Sequence, residues 1–411
     1  MSDDKLTIEE KDGKIILTAC KKRVINVAIP NNITQIGEDA FRDCKRLKSI
    51  VLPSSITKIK SGAFRNCEAL ESIEIPDRVT KIEDRTFSSC ISLKSIKLSD
   101  KITKIGKNAF SSCIKLESIT IPDKVTQIEE GAFSGCIALE STIIPDSVTK
   151  IGASAFKRCE SLKSIKLSEN LNKIEDYTFS ECHLLESILI PKSVCEIGIY
   201  TFYLSGLKSI IIPSSVTKIR SGTFSGCKSL ESIEIPENVN QIERDAFSYT
   251  GLKTIRLPST ITQIEDHTFC LSKLESIEIP NSVTQIGNYA FQYCHSLKSI
   301  EIPDSVTQIG EDAFKGCTAL ESIKIPNSII SIGYGAFAEC TALRPNSVIY
   351  RGTAAQWKKI RIVPSDYVMN QGNNDILFGS SEQKVCCMGS DGNGVTPIWL
   401  NVEEKDVSKD W

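Results

Sequence analysis

"AFRDCKRLKSIVLP", residues 40–53, is the stretch on which the reading of the whole chain turns. Cys44 stands three residues after Phe41, and the same spacing returns at Phe64/Cys67, Phe87/Cys90 and Phe110/Cys113. Followed outward, a Phe preceded by Ala or Thr recurs fourteen times between Phe41 and Phe337, with ten of the thirteen intervals at 23 residues and three at 22. A fixed period of this size marks a repeat array rather than a set of independent domains. One unit reads L-[KE]-S-I-x-I-P-x-x-V-T-x-I-x-x-x-A-F-x-x-C-x-x, after which the next Leu begins.

Each column has a physical meaning. The apolar set Leu47, Ile50 and Leu52 recurs as Leu70, Ile73 and Ile75. A short β-branched run closed by Pro reads as a strand, since Pro donates nothing to a ladder. Twelve of the fourteen units carry that Pro, and Ser99 and Ser168 replace it in the other two. An Ile column without exception follows, from Ile36 to Ile332. The A-F-x-x-C segment is expected to place Phe and Cys on one face of a short helical turn. No unit of this size buries its apolar columns alone. Stacking buries them between neighbours, so the expected architecture is a solenoid with a parallel sheet on one side.

The cysteine ladder admits four readings: disulfides, metal, a nucleophile or core. It has eleven members, an odd number, and stacked side chains point parallel rather than at each other, which disfavours disulfides. His183, His267 and His295 are scattered, so no metal set is apparent. Eleven equivalent thiols do not describe one activated nucleophile. Free Cys packs as a small buried hydrophobe, and the ladder is read as core. The units starting at Phe202, Phe247 and Phe269 lack the ladder Cys and are the three shortened ones. The expectation there is that the deletion moves the third position after Phe out of the interior. Cys270 is off the ladder, and Cys386-Cys387 is a vicinal pair near the end.

These residues resemble the BspA-like (Treponema-type) bacterial leucine-rich repeats over roughly residues 24–343. The resemblance implies a right-handed curved solenoid with its parallel β-sheet on one face, about 14 repeats of 22–23 residues. It further implies a non-enzymatic surface or secreted protein used in adhesion or interaction. The flanks agree: residues 1–23 read as an N-terminal β-hairpin cap with Asp12-Gly13 near its turn. Residues 344–380 resemble a closing cap, and 381–411, including "GSDGNG", read as a loose tail.

Composition limits the remaining classes. Net charge is −2 with 41% hydrophobic and 24% charged residues, so no basic field points to nucleic acid. No apolar run is long enough to span a bilayer, and no membrane insertion is expected. The first residues contain no signal peptide as written, which taken alone reads as cytoplasmic, against the surface location implied by the resemblance. An intracellular leucine-rich interaction or inhibitor protein is the alternative, and free thiols suit it. Catalytic, cofactor and metal motifs are absent, so the chain is read as no enzyme, monomeric, with a protein ligand of unstated identity.

Candidate contact residues come from the outward columns of the strand. The first, from Lys48 to Glu321, alternates in sign at eleven of twelve neighbouring pairs. Opposite charges on adjacent strands favour register and solubility rather than binding. Its one break, Glu117 beside Glu140, offers either a cation site or a solvated pair. The most variable column places Ile143, Lys166, Leu189 and Ile211 in succession where other units carry charge. Apolar groups at an exposed position mark contact surfaces, and Tyr200 and Tyr203 extend the candidate patch. Drift in a tolerant scaffold is the competing explanation.

Overall fold

The computed structural model describes residues 5–344, 347–363 and 385–387. They fall in two compact units, Met1–Ser215 and Val216–Trp411. Both are built from solenoid coils with a short parallel side strand and, in most coils, a second at the front; the coils around Ile119 and Ile255 have a single bridge there and the one around Leu189 is extended without a strand. The front strand is the Ser-Ile-x segment, and the side strand is the two-residue segment ending in the unbroken Ile column.

In the first unit, Leu6–Lys11 and Lys14–Cys20 form an antiparallel hairpin. Asp12 and Gly13 both have positive φ, at 52° and 68°, which suits the tight turn that matches strand twist. The second hairpin strand then pairs in parallel with Gln35–Ile36, so it covers the edge of the first coil. Front strands pair in register, for example Ser141–Ile143 with Ser164–Lys166. Side strands do the same from Lys81–Ile82 through Lys150–Ile151. The sequence reading placed one sheet; the side strands, only two residues long, add a second.

In the second unit, five side strands run from Gln263–Ile264 to Arg361–Val363. Front strands there end with Val348–Tyr350, which pairs with Ser322–Ile325. The helical turn Ala354–Trp357 has a capping box from Thr353 and Gln356, and it delivers Trp357 edge-on to Tyr350 at 5.2 Å. Both rings are buried, so this segment continues both sheets and covers the last coil with aromatic surface. Within the segment read as tail, the backbone of Val385–Cys387 pairs in parallel with Val348–Tyr350. The rest of that segment, "GSDGNG" included, lies outside the described residues.

The corner around Phe is not helical, which corrects the helical turn expected from the Phe–Cys spacing. The residue two before Phe and the residue two after it have positive φ in every coil, as at Asp39 (52°), Asp43 (58°), Arg85 (55°) and Ser89 (60°). Between them the chain makes successive i to i+3 turns: Arg42 N–H to Asp39 O and Cys44 N–H to Phe41 O. The alternate N–H groups, of Asp39, Phe41 and Asp43, donate instead to Ser61, Ala63 and Arg65 of the next coil. A left-handed residue costs about 1–2 kcal/mol when it is not Gly. The inter-coil bonds it permits satisfy buried amides that otherwise remain unpaired at greater cost.

Inside this corner the Phe rings stack at centroid spacings of 5.1–5.8 Å. From Phe41 to Phe337 each is at most 1% exposed. Offset stacking contributes about 0.5–1.5 kcal/mol per pair beyond area burial.

Candidate functional site

The ladder thiols are free and buried. Most sit beneath the carbonyl of the Phe one coil back, as where Cys67 Sγ–H donates to Phe41 O at 3.1 Å and Cys113 Sγ–H to Phe87 O at 3.2 Å, while Cys44, in the first coil, faces Cys20 O. The same Phe carbonyl also accepts the N–H of its own coil's Cys. Burial pushes the thiols of Cys136, Cys182 and Cys294 up to about 12, and those of Cys90, Cys113, Cys159 and Cys317 well above the ordinary thiol value. A thiol held neutral is a poor nucleophile and a poor ligand. Among the described residues no group of three or more His, Cys, Asp or Glu is placed to hold a metal.

In the shortened coils the expected exposure of the third position does not occur. Ser205, Thr250 and Ser272 occupy it and are 4%, 2% and 3% exposed. Ser205 and Ser272 keep the N–H bond to Phe202 O and Phe269 O that Cys makes elsewhere. The deletion therefore lies after this position, and a hydroxyl replaces the thiol. Thr250 Oγ1–H donates to Phe247 O at 2.9 Å, and Ser272 Oγ lies 3.3 Å from Cys294 Sγ.

The front face carries the variable column. Ile143, Leu189 and Ile211 are 65%, 77% and 64% exposed. Alternation along the extended chain gives this: Ile144, Ile190 and Ile212 are buried, and their predecessors face solvent. Ile143 pairs with Lys166 in register, and Leu189 and Ile211 follow in the next two coils. Lys166 is exposed and makes no ion pair among the described residues. Beside this stripe the charged column closes on itself, with Lys163–Glu140 at 3.1 Å and Lys208–Glu186 at 2.8 Å. Glu140 thus has its cation already, which removes the cation site considered at the Glu117–Glu140 break. Val51 is 68% exposed in the same column but stands alone, separated from the stripe by Glu74, Lys97 and Thr120.

Tyr200 and Tyr203 do not join the stripe. They sit on the corner, half a coil from Leu189 and from Ile211, with the buried Ile197 and Phe202 between. There Tyr177 and Tyr200 stack at 5.5 Å, Tyr203 meets Tyr200 edge-on at 5.6 Å, and Lys157 Nζ lies 5.4 Å over Tyr177. Their half-buried faces are spent on one another.

The repeat, the thiol ladder and the two parallel strand sets match a known pattern. The BspA type leucine-rich repeat region matches in six copies, over residues 18–140, 132–252 and 217–344. The chain belongs to the BspA-type leucine-rich repeat family. Two solved relatives share its fold. A leucine-rich repeat protein from Bacteroides ovatus is 34% identical, with 89% of this chain and 100% of that one covered and a TM-score of 0.79. A leucine rich cell surface protein from Faecalibacterium prausnitzii is 28% identical, with 88% and 97% covered and a TM-score of 0.52. A comparison with curated proteins gives no match. In this BspA-type chain the coil geometry repeats throughout, while the residues of the front column differ from coil to coil because nothing inside the coil depends on them. No helix of the described residues is long and apolar enough to cross a membrane.

Proposed function

We propose that this BspA-type chain is a non-enzymatic scaffold that recognises a protein through the front stripe of Ile143, Lys166, Leu189 and Ile211. The observation behind this reading is the exposure of three aliphatic side chains, at 64–77%, in one continuous column. Exposed aliphatics scattered singly need no explanation, whereas a contiguous run does. The unpaired Lys166 between Ile143 and Leu189 calls for a carboxylate on the partner. The preferred partner surface is therefore aliphatic with one acidic group opposite Lys166. Action at the cell surface is supported by the Faecalibacterium relative, described as a leucine rich cell surface protein. Buried thiols with raised pKa survive outside a reducing compartment, so the ladder does not weigh against that location.

The test is a double substitution, Leu189→Asp with Ile211→Asp, in binding assays against cell-surface and matrix proteins. Burying each aliphatic side chain contributes about 1.5–3 kcal/mol, so the loss corresponds to at least tenfold in affinity. Circular dichroism is expected to stay unchanged, since both positions face solvent. A partner that binds wild type and double variant equally removes the stripe as the contact surface.

A further inference from the structure

A second surface, separate from the front stripe, lies along the side strands of the unit Val216–Trp411. Elsewhere the furrow beside these strands is filled by ion pairs: Lys58–Glu83 at 3.4 Å, Lys104–Glu129 at 2.6 Å and Lys173–Glu175 at 2.9 Å. These pairs need Lys at the start of the side strand and Glu after its Ile. In the three coils of the second unit whose side strands start at Gln285, Gln308 and Ser331 both are missing. The strand starts with Gln263, Gln285, Gln308 and then Ser331, and the position after Ile is Gly287, Gly310 and Gly333 in three consecutive coils. Those three glycines are forced, because a Cβ would lie 2.2–2.7 Å from backbone nitrogen of the preceding coil. The furrow is left open as a groove of about 400 Å³.

Its walls are polar and largely unspent. The side-chain amides of Gln285 and Gln308 make no hydrogen bond among the described residues. Asn288 Oδ1 accepts the N–H of Glu311 at 2.8 Å, and Asp266 Oδ1 that of Asn288 at 2.7 Å. This fixes both side chains while leaving the Asn288 amide nitrogen and the second Asp266 oxygen for a ligand. Ser331 lines the groove, and its hydroxyl makes no hydrogen bond among the described residues.

The chemistry selects the ligand class. Carboxamides offer donors and acceptors together, as hydroxyl groups do. Their rows repeat every strand spacing of about 4.8 Å, which suits a chain that carries hydroxyls at regular intervals. A peptide finds little backbone to pair with, since the side strands at Gln285–Ile286, Gln308–Ile309 and Ser331–Gly333 are already paired on both edges. Nucleic acid is disfavoured by the carboxylates of Glu265, Asp266 and Glu311. We propose that this groove is a binding site for a neutral oligosaccharide, held by Gln285, Gln308, Asn288 and Ser331.

Isothermal titration of the full chain with cellohexaose, xylohexaose, mannohexaose and maltohexaose tests it. At least one hexaose is expected to bind saturably. The triple variant Gln285→Ala, Gln308→Ala, Ser331→Ala is expected to lose at least tenfold in affinity with an unchanged melting profile. The Leu189→Asp, Ile211→Asp variant is expected to bind the sugar as wild type does, which separates this site from the front stripe. The proposal is overturned by absence of binding of all four at millimolar concentration, by binding that the triple variant retains, or by a peptide or a polyanionic glycan taking the groove in preference.

Discussion

Replacing three ladder thiols by Ser, as Cys113→Ser, Cys136→Ser and Cys159→Ser together, should flatten the alkaline decline of stability by a calculable amount. These side chains are fully buried and held neutral in the fold. Unfolding returns each to an ordinary thiol value near 9.0, while burial holds Cys136 up to about 12 in the fold. The folded pKa lies above the unfolded one, so the unfolded chain releases its protons first. The thiol contribution is complete below pH 9.0 and drains as pH climbs toward the folded value, about 12 for Cys136. At about pH 10 each such thiol costs about 1.4 kcal/mol, and above it each adds about 1.4 kcal/mol per pH unit. Seven ladder thiols are raised in this way, and all of them act in the same direction as pH climbs. Ser does not titrate in this range, and Ser272 shows that a hydroxyl fits the position. Urea unfolding by circular dichroism from about pH 8 to 11 should therefore give a slope about 4 kcal/mol per pH unit shallower above pH 10 in the variant. Lysines and tyrosines titrate equally in both proteins and cancel in the difference. Identical slopes would refute the claim that the ladder is buried as neutral thiol.

Two other substitutions probe the coil itself. Phe133→Ala removes a ring with no exposure and neighbours at 5.3 Å on both sides, and should cost about 3–5 kcal/mol in urea unfolding. Phe41→Ala, which loses only the Phe64 ring at 5.1 Å, should cost about 1 kcal/mol less, and a Phe133→Ala cost below about 1 kcal/mol contradicts the stacked core. Gly62→Ala should destabilise by at least about 1–2 kcal/mol, because φ is +64° and the new Cβ would lie 2.2 Å from Asp39 Oδ1. Arg85→Gly at the equivalent site, φ 55°, should be neutral or stabilising by up to about 1 kcal/mol in thermal melts; a neutral Gly62→Ala would show the corner to be less constrained than its geometry implies.

The front stripe was legible because strand alternation is a local rule: once Ile144, Ile190 and Ile212 are inward, Ile143, Leu189 and Ile211 must be outward. The tyrosines were misplaced because a linear period tells how often a residue returns, not which side of the coil it occupies. Tyr200 returns in step with Leu189 yet lies across the core from it. The shortened coils misled for a similar reason. Counting from Phe247 to the next Leu shows that one residue is missing, but only the bond between Thr250 Oγ1 and Phe247 O shows that the loss falls after the third position.

The open groove left its trace in the sequence as three consecutive glycines opposite a run of glutamines, a signal visible only once those columns are known to share a furrow. The left-handed corners left only a broken trace: Gly62, Gly131 and Gly135 occupy them, but Arg85, Tyr177 and Leu204 adopt positive φ without a Gly to announce it. What the sequence by itself determined is the stacking: identical residues every 22 or 23 positions bury one another, and that fixes the coil, the Phe column and the thiols as interior. Tertiary structure alone decided the corner conformation, the second sheet and the separation of surfaces. Each of these depends on hydrogen bonds or packing between a residue and its counterpart one coil away, as in Phe41 N–H to Ala63 O, and no local pattern encodes such a partner.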